Sequence, residues 1–213
     1  MSTSSLVHVE RDNLADLLAA AGPDAPTLCE GWTTRDLAAH LVIREGRPDA
    51  AAGIVIGPLA GWTGKVQAKA AERPYAELVE AFRQGPPKWS PFSIPAVDAA
   101  ANIIEFVVHG EDVRRAAPQW TPRMVDAELN ALLYARATKM GRLALRKVPL
   151  GVAVQRTDEA AEAYAVKTGT PIVTIAGAPI DLVLRMFGRT AASVEVLGDA
   201  DAVAAFNAAR ISM

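Results

Sequence analysis

Cysteine, histidine and aromatic residues are scarce in this chain of 213 residues, and neither charge sign is in large excess. The single cysteine, Cys29, can form neither an internal disulfide nor a Cys-x-x-Cys redox pair, so we expect a cytoplasmic location. The 22 basic and 24 acidic residues give a formal net charge of −2. This balance argues against nucleic acid as a partner, because such proteins neutralise phosphates with a basic surface.

The sequence also lacks a hydrophobic run long enough to span a membrane. Its longest apolar-looking run, residues 50–62, is interrupted by glycines and a proline. The N-terminus reaches a charged residue by Glu10 without an apolar signal core. We therefore expect no membrane partner, while the 51% of apolar residues excludes a wholly disordered chain.

Helical periodicity dominates the first two thirds of the chain, where alanine is abundant and aromatic residues make up only 6%. The second predicted helix begins at the N-cap candidates Thr33 and Thr34, with Asp36 in a capping-box position. Residues 49–73 are ambiguous, with 50–56 as a candidate helix. The predicted helices cover about 4–21, 33–46, 75–84, 97–116 and 121–146, the last capped by Thr121 with Pro122 in its first turn.

After Pro149 the pattern changes to short β-branched segments separated by turns. We expect strands at 151–156, 162–167, 171–176 and 193–197, with short helices at 179–187 and 199–210. The fold class is therefore α+β, a helical bundle followed by a small α/β domain. We predict a boundary near residue 148, with domains 1–148 and 149–213.

Two of the three histidines fall where a helical core would normally place leucine. His40 shares the inward face of the second helix, and His109 lies one turn after Glu105 on the helix 97–116. Residues four apart lie on one side of a helix, so Glu105 and His109 converge, and His40 from a facing helix completes a His, Glu, His set. Three protein ligands leave a coordination position open on zinc, and the same set also suits Fe²⁺.

A second interpretation of the same residues involves no metal. A histidine on an apolar face is often a hydrogen-bonded core residue, and a Glu-x-x-x-His pair is often an ion pair on a helix surface. The flanking acids Glu111 and Asp112 could pair with Arg114 and Arg115 within the helix. Spacing alone leaves both interpretations open.

Two segments resemble a known family. Residues 29–41, CEGWTTRDLAAHL, resemble the opening signature of the metal-binding domain of mycothiol-dependent maleylpyruvate isomerases, within the DinB/YfiT-like metalloenzymes. Residues 105–115, EFVVHGEDVRR, are similar to the second signature of an actinobacterial, uncharacterised metal-binding branch. The resemblance implies a DinB-like four-helix bundle in which His40, Glu105 and His109 bind a divalent metal. Zinc is the first choice, with Fe²⁺ or Ni²⁺ as alternatives.

The resemblance also implies a chemistry for the open metal position. Mycothiol or a similar low-molecular-weight thiol would serve as cosubstrate for a transferase or isomerase acting on a small electrophile. The alternatives are a non-catalytic metal- or ligand-binding protein and a hydrolase that uses zinc-bound water. The resemblance assigns Arg189, in the Phe187–Arg189 segment, to the anionic substrate. We expect a monomer or homodimer, and a packed, unreactive Cys29, so that the sulfur of any thiol chemistry comes from outside the chain.

Overall fold

The computed structural model describes residues 2–47, 49, 60–209 and 211, and its architecture is α+β, as predicted. The candidate helix at 50–56 and most of the apolar run 50–62 lie outside these residues. Within them, no helix combines the length and apolar composition that crossing a bilayer requires. The elements in chain order are α1 (Thr3–Ala21), α2 (Thr34–Gly46), α3 (Ala60–Ala71), α4 (Tyr75–Arg83), a 3₁₀ turn (Pro91–Ser93), α5 (Pro95–Arg114), α6 (Ala127–Ala144), β1 (Gly151–Arg156), β2 (Tyr164–Lys167), β3 (Ile172–Gly177), α7 (Pro179–Met186), β4 (Val194–Leu197) and α8 (Ala200–Ala208).

The start of α2 is fixed by the capping residues that the sequence indicated. The Asp36 carboxylate accepts hydrogen bonds from the Thr33 backbone N–H at 2.9 Å and from the Thr33 hydroxyl at 2.8 Å. A carboxylate in the first turn also lies at the positive end of the helix dipole. These contacts fix where the helix begins, and therefore which face His40 occupies.

The helices α1, α2, α4 and α5 form a bundle, and α3 packs beside α2. Helix α1 packs along α5, and both helices contribute fully buried side chains, among them Leu14 and Leu18 of α1 and Ile103 and Val107 of α5. Helix α4 contributes Leu78 against α1 and α2. Burial of such side chains contributes about 1.5–3 kcal/mol each, so this apolar interior holds α2 and α5 in position.

A buried polar group, which we name the Arg11 cluster (Arg11, Glu45, Asp98 and Asn102), ties α1, α2 and α5 together. Both terminal nitrogens of Arg11 donate to the two Glu45 oxygens at 2.6 Å. The Asn102 amide donates to Glu45 at 2.8 Å and to Asp98 at 2.6 Å. Burial raises the pKa of Glu45 although the guanidinium of Arg11 opposes that effect.

The chain divides into two compact units, one ending at Pro122 and the other beginning at Arg123. In the second unit the sheet has the order β2-β1-β3-β4, with β1 and β3 parallel and both outer pairs antiparallel. The helix α6 packs on α7 and β2. Gly141 allows this approach, because a Cβ atom there would lie 2.9 Å from the Cβ of Val166.

The predicted start of α6 is wrong by several residues. We expected Thr121 as its cap, but the helix begins at Ala127 and Asp126 accepts the Leu129 backbone N–H at 2.8 Å. The carbonyl of Thr121 instead accepts a hydrogen bond from Arg114. The boundary predicted near residue 148 assigns α6 to the bundle, whereas α6 packs with the sheet. The limit of an independently folding domain stays a prediction.

Candidate metal centre

The helices α2 and α5 bring His40, Glu105 and His109 together. We name these three residues the histidine cluster. His40 lies in the second turn of α2, while Glu105 and His109 are one turn apart on α5. His40 Nε2 lies 3.2 Å from Glu105 Oε1, and His109 Nε2 lies 3.3 Å from the same oxygen. The three residues can offer ligand atoms that all lie within 4.8 Å of one another.

Both imidazoles of the histidine cluster are buried. His40 is 6% exposed and His109 is 9% exposed, and their ring centroids are 5.4 Å apart in an edge-to-face arrangement. The carboxylate of Glu105 is the more accessible member, at 21% of its side chain. The cluster is thus shielded from bulk water but reachable from one side.

Asp112, which lies one turn further along α5, orients the ring of His109. His109 Nδ1 donates a hydrogen bond of 2.9 Å to Asp112 Oδ2, and Asp112 is fully buried. A carboxylate that holds one ring nitrogen fixes the tautomer and aims the other nitrogen at a metal. From the sequence we expected Asp112 to form an ion pair with Arg114 or Arg115, so this role was missed. Its spacing of three residues from His109 is the signal that could have revealed it.

Cys29 lies next to Asp112, in the loop that precedes α2. Its Sγ donates to Asp112 Oδ2 at 3.2 Å and lies 3.9 Å from His109 Nδ1. The neighbouring Leu28 backbone N–H donates to the Asp112 carbonyl at 3.0 Å. Cys29, His109 and Asp112 therefore form a second group whose ligand atoms are close enough to hold a metal, and it shares His109 with the first.

Arg44 and Trp32 border the histidine cluster on its α2 side. Arg44 Nε lies 3.2 Å from Glu105 Oε1, and its other nitrogens donate to Asn102 and to the Ala101 carbonyl. The half-buried ring of Trp32 lies 5.0 Å from the His40 ring, centroid to centroid. The structure thus places Trp32 against a residue of the cluster.

Protonation inside the histidine cluster follows from opposing effects. Burial lowers the pKa of His40. For His109, burial also lowers the pKa, but hydrogen bonds with Asp112, Cys29 and Glu105 outweigh it and raise the pKa well above its ordinary value. Burial raises the pKa of Glu105, yet the two histidines and Arg44 outweigh burial and hold that pKa well below its ordinary value. Glu105 is therefore a carboxylate, the form that binds cations.

The third histidine and the other residues named above are not members of the cluster. His8 is exposed on α1. Glu111 pairs with Arg114 at 2.6 Å and with Arg115 at 2.5 Å, as the simpler interpretation of these charges predicted. Arg189 follows α7 in the second unit, where its guanidinium donates to the Phe187 carbonyl at 2.9 Å.

Known proteins resemble this chain in sequence and in fold. Residues 7–140 match the family described as the mycothiol maleylpyruvate isomerase N-terminal domain, a range that contains the whole histidine cluster. A crystal structure of a histidine-to-alanine mutant of the mycothiol-dependent maleylpyruvate isomerase shares the fold, with a TM-score of 0.64 at 14% identity. A second crystal structure of the mycothiol-dependent maleylpyruvate isomerase gives 0.54 at 13%. Each alignment covers 91% of both chains, and no curated protein sequence gives a significant match.

Proposed function

Because the chain belongs to the mycothiol maleylpyruvate isomerase N-terminal domain family, we propose that His40, Glu105 and His109 bind a divalent metal ion, zinc before Fe²⁺ or Ni²⁺. The observation that carries this proposal is the convergence of two imidazole nitrogens on one carboxylate oxygen. Nitrogen and oxygen donors of this kind suit zinc, and three protein ligands leave a position open for a substrate.

Besides the spacing of the three donors, two further features of the site fit a metal ion. Asp112 holds Nδ1 of His109, which leaves Nε2 of that ring directed at Glu105. Carboxylates that accept a hydrogen bond from the other ring nitrogen are common partners of metal-binding histidines. Burial of both imidazoles limits competition from water for the same ligand atoms. These three features together favour a metal centre over a pair of core histidines.

Of the two candidate ligand groups, the histidine cluster is the stronger one. In both groups one carboxylate oxygen contacts the other two side chains, but only in the Cys29 group is that carboxylate the one that holds Nδ1 of His109. A metal there would have to replace both hydrogen bonds and separate Asp112 from the ring that it orients. We therefore assign Cys29 and Asp112 to the support of His109.

We further propose that the protein is a transferase or isomerase that uses a low-molecular-weight thiol of the mycothiol type. A metal bound in the histidine cluster would supply a Lewis acid that favours the thiolate form of that thiol. The chain's own sulfur is engaged with Asp112, which agrees with a thiol that comes from outside. Trp32 offers an apolar wall beside His40, against which a substrate can pack.

One cation beside the proposed site, together with the family resemblance, favours an anionic electrophile. Arg44 holds Glu105 from the α2 side and adds positive charge next to the cluster. We retain Arg189 as the residue proposed to bind the anionic group of the substrate, a role that rests on the resemblance of its segment to the family. Substitution of Arg189 by leucine should then raise KM for an anionic substrate more than for a neutral one.

Titration with metal separates the two ligand groups. Metal-free protein is titrated with Zn²⁺ in a calorimeter, together with the Glu105→Gln, Cys29→Ala and His8→Ala variants. We expect one site per chain in the wild type, Cys29→Ala and His8→Ala, and no comparable site in Glu105→Gln. Loss of the site in Cys29→Ala with retention in Glu105→Gln would transfer the assignment to the Cys29 group.

An activity assay tests the chemistry separately from the metal. Zinc-loaded protein is incubated with mycothiol and a panel of electrophiles that includes maleylpyruvate, with zinc-treated Glu105→Ala protein as the blank. Turnover that requires both the thiol and Glu105 supports the proposal. Stoichiometric zinc without turnover would identify a non-catalytic metal-binding protein, and turnover of esters or amides without any thiol would identify a hydrolase.

A further inference from the structure

A cleft in the second unit contains Arg185, a cation for which the described residues provide no counter-charge. The cleft lies between the end of α7, the strand β4 and the helix α8, and has a volume of about 420 Å³. Arg185 lines it, and none of its described lining residues is acidic. A volume of this size falls at the lower end of the range for small-molecule sites.

Arg185 differs from Arg156 and Arg11 in the partners of its guanidinium. The guanidinium of Arg156 pairs with Asp158 at 2.6 Å and with Glu159 at 2.8 Å, and Arg11 pairs with Glu45. Among the described residues, Arg185 forms no ion pair or hydrogen bond through its side chain, and its guanidinium carbon lies 5.2 Å from the centre of the Phe206 ring. Burial lowers the pKa of Arg185, as expected for a cation that has lost water without gaining an anion.

The geometry of the guanidinium leaves it able to bind an anion. A guanidinium that lies over an aromatic ring uses its face, while its N–H groups lie in the plane of the group and can form paired hydrogen bonds with a carboxylate. Thr190 and Asn207 are exposed at the cleft and can donate further hydrogen bonds. Their side chains form none within the described part of the chain.

Three valines form an aliphatic part of the cleft, beside the polar Thr190 and Asn207. Val194 and Val196 alternate along β4 and present the same face, and Val203 of α8 adds a third branched side chain. A ligand that places its charge at Arg185 therefore meets aliphatic surface. The combination is typical of sites that bind a small amphipathic anion.

We propose that this cleft binds a small organic monocarboxylate with a short aliphatic chain, its carboxylate on Arg185 and its chain against the three valines. A monoanion fits better than a phosphate ester, because a single cation would leave part of a dianion uncompensated. The site depends only on the geometry of the second unit, and does not require the metal centre or the role proposed for Arg189.

Hexanoate serves as the probe in a test on the full-length protein by two-dimensional NMR. We expect saturable shifts of the valine methyl signals and of the Asn207 side-chain amide, with a dissociation constant on the order of 1 mM. Hexylammonium, which has the same chain and the opposite charge, should produce no such shifts. Inorganic phosphate should bind at least about tenfold more weakly, because it lacks the aliphatic chain.

Two substitutions separate binding from folding. Arg185→Leu keeps apolar contact with Phe206 and should retain the thermal stability of the wild type, while hexanoate binding falls at least about tenfold. Asn207→Asp places a carboxylate at the cleft on an exposed position of α8 and should weaken hexanoate binding similarly. Arg146→Leu, which makes the same change at an exposed position of the second unit, should leave binding unchanged.

Two outcomes would overturn the proposal. One is the absence of saturable shifts with hexanoate up to about 20 mM, well above the affinity expected for a ligand of this size. The other is binding that Arg185→Leu and Asn207→Asp leave at the wild-type level. A large loss of stability in Arg185→Leu without any loss of binding would instead assign Arg185 to packing on Phe206.

Discussion

Two buried polar clusters both include residues of α2 and α5, the Arg11 cluster with Arg11 added from α1, and they differ in the groups that contact their carboxylates. In the Arg11 cluster, the guanidinium of Arg11 donates to both oxygens of Glu45 at 2.6 Å. In the histidine cluster, Glu105 contacts two imidazole nitrogens at 3.2 and 3.3 Å, in addition to the Nε of Arg44 at 3.2 Å. Arg44 lies between the two clusters, since it contacts both Glu105 and Asn102.

The guanidinium beside Glu45 and the imidazoles beside Glu105 suit different roles. A guanidinium carries donors only and cannot be a metal ligand, so the Arg11 cluster is complete within the chain. An imidazole can give up a proton and offer a lone pair, so the same position can hold a proton or a metal. The comparison indicates that a buried carboxylate alone does not distinguish a structural cluster from a metal centre. The nature of its partners does.

The largest expected effect tests whether the Arg11 cluster stabilises the fold. Arg11→Met removes one partner of a buried pair and leaves Glu45 without its cation, so the free energy of unfolding should fall by about 3–5 kcal/mol. Urea denaturation measures the change. Arg83→Met removes an exposed ion pair with Asp16 and should cost less than about 1 kcal/mol. Equal effects of the two substitutions would contradict the structural role of the Arg11 cluster.

The next effect tests whether zinc binds to the histidine cluster and thereby stabilises the fold. Zinc at about 100 times its dissociation constant should raise the free energy of unfolding by about 2.7 kcal/mol. This gain should be present in the wild type and in His8→Ala and absent in Glu105→Gln, as measured by urea denaturation with and without metal. A comparable gain in Glu105→Gln would place the metal somewhere other than the histidine cluster.

A smaller effect on zinc affinity tests whether Asp112 supports His109. Asp112→Ala removes the carboxylate that holds Nδ1, so zinc affinity should fall about 10- to 100-fold, which is about 1.4–2.7 kcal/mol. Asp112→Asn keeps an oxygen that can accept the same hydrogen bond and should recover part of the loss. Calorimetric titration of both variants checks this order. Wild-type affinity in Asp112→Ala would show that the ring needs no such support.

The smallest effect concerns Cys29, which donates a hydrogen bond to Asp112 and is outside the proposed ligand set. Cys29→Ala deletes one weak hydrogen bond to Asp112, so zinc affinity should change by about 0.5 kcal/mol or less. The same titration measures it. A loss as large as that of Glu105→Gln would make Cys29 a ligand and reverse the assignment of the two groups.

Much of the fold could be predicted because its signals are local. The capping residues Thr33 and Asp36 gave the start of α2, and the β-branched segment 151–156 gave the bounds of β1. The predicted start of α6 was wrong because the sequence favoured Thr121 as its cap, whereas Asp126, five residues later, accepts the Leu129 backbone N–H and the carbonyl of Thr121 accepts from Arg114. The packing of α6 on the sheet depends on contacts distant in sequence, such as that of Gly141 with Val166.

The candidate site was predictable to the extent that it follows helix geometry. Glu105 and His109 are four residues apart, and the inward position of His40 follows from the apolar positions around it. The role of Asp112 was missed because Arg114 and Arg115 offered equally local partners, and they pair with Glu111 instead. The position of Cys29 beside Asp112 depends on a loop that no periodic pattern describes.

Zinc-edge X-ray absorption of the metal-loaded protein tests most directly the claim that the metal lies in the histidine cluster. We expect the zinc to have two imidazole nitrogens and carboxylate or solvent oxygen as neighbours at about 2.0–2.2 Å, with no sulfur in the coordination sphere. His40→Ala should remove one imidazole contribution. A sulfur neighbour at about 2.3 Å would place the metal on Cys29, and protein that takes up no zinc would contradict a metal centre altogether.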